Sequence, residues 1–119
     1  MPIAMHHEGG NVYRLEMRGT LRKVDLDRCQ DALASQMNRV GPLRLLFVLE
    51  GFDGWESQDD WGDLTFYVRH GDSIERIAIV GDERWRGGAL MFASADLRKA
   101  PVAFFPTHEL VTARTWLAA

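Results

Sequence analysis

The sequence has a single cysteine, Cys29, so no disulfide can form within the chain. That favours a reducing compartment. Long hydrophobic runs are missing as well. The longest, Leu45–Leu49, falls far short of the roughly 20 residues that cross a bilayer as a helix. Nor is there an excess of basic charge: 14 Lys and Arg are scattered among 17 Asp and Glu, for a net charge of −3. A surface that tracks phosphates needs clustered cations, so no nucleic-acid partner is expected. The opening residues MPIAMHHEGG lack the basic stretch and following apolar stretch of a secretory leader, and the expectation is a cytoplasmic protein.

Motifs for catalysis and cofactors are equally scarce. His6-His7, His70 and His108 do not form a spacing such as H-E-x-x-H, and adjacent histidines point to opposite faces of a strand. The glycine-rich Gly81–Gly88 stretch matches neither G-x-x-x-x-G-K-[ST] nor G-x-G-x-x-G. No G-x-S-x-G elbow and no Ser-His-Asp or Cys-His arrangement stands out. The reading is therefore no metal, no cofactor and no catalytic residues. An enzyme hypothesis would rest only on His108 and nearby acids.

What is present reads as one α/β domain over residues 1–119, with 46% hydrophobic and 26% charged residues. Pro2–Glu8 suggests an edge strand, and Gly9-Gly10-Asn11 a turn. Val12–Gly19 alternates, with Tyr13, Leu15 and Met17 on one side and Arg14, Glu16 and Arg18 on the other, as in a strand buried on one face. From Asp25 the period changes. Leu26, Cys29, Leu33, Met37 and Val40 form one helical stripe ended by Gly41-Pro42, which makes Cys29 a small buried hydrophobe.

Leu43–Leu49 is nearly all apolar, as expected of a central strand covered on both faces. Gly51–Gly54 reads as a turn, and Ser57–Asp60 as a capping box opening a helix with Trp61, Leu64 and Val68 inward. Ile74–Val80 is a further strand, then Gly81-Asp82 leads into a helix with Trp85, Ala89 and Phe92. In that helix Gly87 and Gly88 each cost about 1 kcal/mol against Ala. Pro101–Phe105 is the last strand. Pro106-Thr107 caps a final helix with Leu110, Ala113 and Leu117 inward. Strand–helix units about 30 residues apart suit right-handed crossovers onto one mostly parallel sheet with helices on both faces.

Ligands of open α/β sheets bind beyond the carboxyl ends of the strands. There this sequence places Phe52, Trp55, Trp61 and Trp85. They are the candidate ligand-binding residues; the alternatives are an aromatic plug on the core or a homodimer interface. The acids Glu50, Asp53, Glu56, Asp59, Asp60 and Asp63 do not match a calcium loop and read as a solvated face.

Three stretches carry a family resemblance. Leu45–Glu56 (LLFVLEGFDGWE) resembles the strand and Gly-Trp turn of bacterial SpoIIAA-like proteins, as do Ile74–Trp85 (IERIAIVGDERW) and the ending from Phe104-Phe105-Pro106 to Leu117. The likeness runs from about Val12 to Leu117. It implies a STAS-type α/β fold: a mixed, mostly parallel sheet of about five strands with an antiparallel edge strand, flanked by four helices. Kinship with anti-sigma-factor antagonists implies a protein partner under serine phosphorylation. Kinship in shape with lipid-carrying domains implies a lipophilic small molecule or a membrane surface. Both functions are analogies of fold. Antagonists carry an Asp-Ser pair where strand meets helix; here Gly51–Ser57 has none, leaving Ser57 as the candidate phosphorylation site and, more simply, as a helix cap.

Overall fold

The computed structural model describes residues 3–119. Its strands are β1 (Ile3–His7), β2 (Val12–Leu21), β3 (Leu43–Trp55), β4 (Ile74–Gly81) and β5 (Val102–Pro106). Its helices are α1 (Lys23–Val40), α2 (Thr65–His70), α3 (Arg86–Phe92) and α4 (Leu110–Ala118). The strands lie side by side in sequence order. β1 is antiparallel to β2, with Ile3 opposite Met17, and every other pair is parallel. The expected edge strand is thus present from Ile3; Pro2 lies outside the described residues.

This strand order decides where the helices go. Each new parallel strand joins on the same side of the last, so right-handed crossovers put α1, α2 and α3 on one face. Their apolar residues, among them Leu33, Met37, Phe66 and Ala89, pack with Leu15, Met17, Leu45, Phe47 and Ile77 of that face in the larger core. α4 follows the last strand and crosses to the other face, where Ala113 and Leu117 bury Leu46, Ala78 and Val80. β3 and β4 are therefore apolar on both sides, as the run Leu43–Leu49 predicts. Beyond α4, β2 carries the polar row Arg14, Glu16 and Arg18.

Several boundaries differ from expectation, each for a local reason. β3 does not turn at Gly51–Gly54 but continues to Trp55, paired with Gly19–Leu21 of a longer β2. Register shifts around Gly19, which like Gly51 and Gly54 has positive φ, make this an irregular, bulged stretch of strand. α1 starts at Lys23, and Val40 at its end is 47% exposed, off the stripe. Ser57–Asp60 does not open the helix that follows it: it lies in a turn, α2 begins only at Thr65, and Val68 is 77% exposed. Thr107 caps nothing either; the chain makes a 3-10 turn over Thr107–Glu109 before α4.

One ion cluster ties the hairpin to the last helix. Glu8 accepts from Arg114 Nη2 at 2.8 Å and from Arg14, and Arg14 also approaches Glu16. The Arg114 hydrogen bond, with that of Arg14, holds the Glu8 carboxyl below the usual carboxylate range. A depressed carboxylate adds stability above its unfolded pKa, near 4.3, and loses it as pH falls through the folded value. Urea midpoints of Glu8→Gln and wild type are therefore expected to converge as pH falls from 6 to 3, with a gap at pH 6 of roughly 0–1 kcal/mol per partly exposed pair.

Candidate functional site

The bulged end of β3 builds the aromatic site. Phe52 is buried in the larger core, whereas Trp55, three residues further on, is half-buried. Trp85 enters from the 3-10 turn Glu83–Trp85, whose start Asp82 caps by accepting from Arg84 N. The three rings meet edge to face: Phe52–Trp55 at 5.0 Å, Phe52–Trp85 at 5.1 Å and Trp55–Trp85 at 5.9 Å between centroids. This arrangement suits the quadrupoles of the rings. Trp61 is not part of that trio. It reaches the cluster through Phe92, at 5.9 Å, which in turn lies 5.6 Å from Trp55.

Small residues make this packing possible. A Cβ on Gly88 would sit 2.9 Å from Cζ3 of Trp55, too close for any real side chain. The glycine that weakens α3 as a helix is thus the one that admits the indole. Gly54, with φ +105°, would bring a Cβ to 3.3 Å from Trp85.

The loop over residues 56–64 is held against the start of α1 by carboxylates. Asp59 Oδ2 accepts from the backbone N of Lys23 at 2.9 Å, giving α1 the cap that Arg22 does not supply. Asp63 pairs with Lys23 Nζ at 3.0 Å and accepts both the N–H and the hydroxyl of Thr65. The Thr65 bonds, then the lysine, hold the Asp63 carboxyl well below the usual range. Trp61 Nε1 donates to Glu56 O at 2.7 Å, which pins the indole over the groove. Two of the acids expected to form a solvated face therefore fasten this loop.

Two cavities flank the Trp61–Phe92 contact. An inner one of about 110 Å³ is walled by Phe47, Phe66, Tyr67, Phe92 and Arg98, with Trp61 at its rim. An outer cleft of about 230 Å³ lies between Trp55, Trp61, Gly88, Met91 and Phe92. Met91, Leu97, Leu64 and Val68, on the elements that frame the groove, are exposed large apolar residues. Of the four candidate ligand-binding residues, Trp55 and Trp61 line cavity wall; Phe52 and Trp85 support it from behind. Phe66, Tyr67 and Arg98 also line the cavities and were not picked out by spacing, and Phe92 was picked out only as an inward helix position. Phe66 and Tyr67 sit on a six-residue helix too short to show a period, and Arg98 on an irregular segment.

The remaining candidates lie elsewhere. Ser57 is exposed on the 56–64 loop and His108 is exposed on the turn after β5, and neither lines either cavity. Cys29 is buried in α1, where desolvation pushes its thiol up to about 12, so it is inert at neutral pH. Among the described residues no three potential metal ligands converge, and no helix is long and apolar enough to cross a membrane.

This sheet order, with one antiparallel edge and three helices on one face, is matched by sequence. The sequence model of the SpoIIAA-like family aligns with residues 12–118. The chain belongs to the SpoIIAA-like family. A solved structure similar to this SpoIIAA-like chain is that of an uncharacterised protein of the DUF3478 family, with a SpoIIAA-like fold, from Shewanella loihica PV-4. The two superpose with a TM-score of 0.73 at 20% identity, over 97% of this chain and 91% of that one. At that identity the likeness speaks to the fold alone. Comparison with curated proteins finds no match.

Proposed function

We propose that this SpoIIAA-like chain is a non-enzymatic binding module for a small lipophilic molecule. The observation that carries the reading is the aromatic groove split by the Trp61–Phe92 contact, with a mixed aromatic and polar cavity on one side and an apolar cleft on the other. Each half alone is small, and a side-chain shift that parts Trp61 from Phe92 would join them into a groove of the size that holds small ligands, roughly 300 Å³ upward. The exposed Met91 and Leu64 in its walls suit entry of an apolar molecule or contact with a membrane surface.

Trp55 and Trp61 are built-in reporters. A neutral lipophile such as 1-octanol, titrated into the purified protein, is expected to shift Trp emission in a saturable way, and the shift is expected to be lost in Trp61→Ala. Native mass spectrometry against the denatured mass supplies a second readout of a carried molecule. No saturable change with alcohols, fatty acids or vesicles would overturn the binding reading.

A further inference from the structure

We infer that the groove takes an amphipathic organic monoanion, a carboxylate on an apolar body, and that Arg98 is the residue that recognises its charge. The inference rests on the groove being a binding site and adds what kind of molecule it selects.

Arg98 forms wall of the inner cavity beside Phe66, Tyr67 and Phe92. Its guanidinium lies over the Tyr67 ring at 5.1 Å, and its Nε donates to Ala93 O at 2.7 Å. Those contacts fix the plane of the group but use one of its five N–H donors. Nη1 is shielded from solvent and has no protein acceptor. A desolvated cation is costly unless an anion accompanies it, and none of the chain's carboxylates pairs with this one. Burial pushes the Arg98 pKa down.

The other cation in the cavity wall is already paired, and the two acids have contacts of their own. Lys23 is paired with Asp27 and Asp63. Asp63 is further held by Thr65, and Asp60 accepts from Gly62 N. Arg98 is thus the unpaired cation of the cavity wall, and its complement is negative. Asp60 and Asp63 in the same wall oppose a second negative charge, which favours a carboxylate over a phosphate dianion. The planar fork of a guanidinium also fits a carboxylate with two parallel bonds. The cavity's aromatic side then takes the apolar body, which runs past Trp61 and Phe92 into the outer cleft.

The test compares octanoate with 1-octanol at pH 7.5 by Trp fluorescence and calorimetry, in wild type, Arg98→Gln and Arg98→Lys. Wild type is expected to bind octanoate at least ten-fold more tightly than octanol, with octyl phosphate weaker than octanoate. Arg98→Gln should remove that preference by weakening octanoate at least ten-fold more than octanol, and Arg98→Lys should retain part of it. Equal affinity for acid and alcohol in wild type, or a preference that survives in Arg98→Gln, overturns the role of Arg98 while leaving the groove a binding site. Binding of neither molecule overturns both. If Arg98→Gln fails to fold, the wild-type comparison of acid, phosphate and alcohol decides.

Discussion

Phe52→Ala is expected to destabilise the protein by about 3–5 kcal/mol, the range for removing a buried phenyl group. Phe52 is 3% exposed and stands between Trp55 and Trp85, making an edge-to-face contact with each. Its loss removes burial and two aromatic contacts, each worth about 0.5–1.5 kcal/mol beyond area. The cavity cannot be filled cheaply, because the indoles that would move in pack at their far edges against Gly88 and Gly54 and would open space there as they moved. Urea unfolding followed by far-ultraviolet circular dichroism measures the loss, and a fall in Tm of roughly 10–20 °C should accompany it. Trp emission of the folded variant should shift as Trp55 and Trp85 loosen. A loss under about 1 kcal/mol with unchanged emission, far below the usual cost of Phe→Ala, would show that Phe52 does not brace the tryptophans.

Sequence pattern revealed the fold more fully than the site. Alternation in Val12–Gly19 and the apolar run Leu43–Leu49 place a one-sided strand beside a two-sided one, and the structure has both. Four helices and an antiparallel edge strand follow from the same periods and from the family resemblance. The errors cluster where glycine and acid residues serve tertiary contacts. Gly51 and Gly54 look like a turn because positive φ is usually a turn's requirement, yet here they bend a continuing strand. Ser57–Asp60 looks like a helix cap, and Asp59 does cap a helix, but it is α1, 36 residues away in sequence. No local rule can find a cap supplied from such a distance.

The same limit explains the site. Phe52, Trp55, Trp61 and Trp85 were grouped in the sequence because all four lie beyond the apolar runs Leu43–Leu49 and Ile74–Val80, at the carboxyl side of the sheet. Their division of labour was not legible. It depends on which rings Gly54 and Gly88 admit, and on Phe92 standing between Trp61 and Trp55. Phe92 shows as an inward helix position in the sequence, a role it keeps while also dividing the groove. Arg98 carries no sequence signal at all. A surface arginine and a half-buried one without a carboxylate read alike until the fold places Tyr67 and Ala93 around it.

Leu117→Ala probes the opposite face and is expected to cost about 2–5 kcal/mol. Leu117 is 1% exposed and is the largest residue that α4 buries in the smaller core, where Ala78 and Ala113 are too short to reach into the space it would leave. α4 itself is poorly placed to settle inward. Arg44 Nη1 donates to the carbonyls of Leu117 and Ala119 at 2.7 and 2.8 Å, and Arg76 Nη1 donates to that of Trp116 at 2.8 Å. These bonds run to backbone atoms, survive the substitution and hold the helix end at its present height, so the cavity persists and the cost should lie in the upper half of that range. Because the groove lies on the other face of the sheet, the folded variant is expected to keep octanoate affinity close to wild type, as independent sites do, whereas Trp116, packed against this core, is free to change its own emission. Urea unfolding gives the stability and the fluorescence titration the affinity. A variant that loses stability and octanoate together while still folded would mean that the two faces are coupled through β3 and β4, and that α4 helps set the groove.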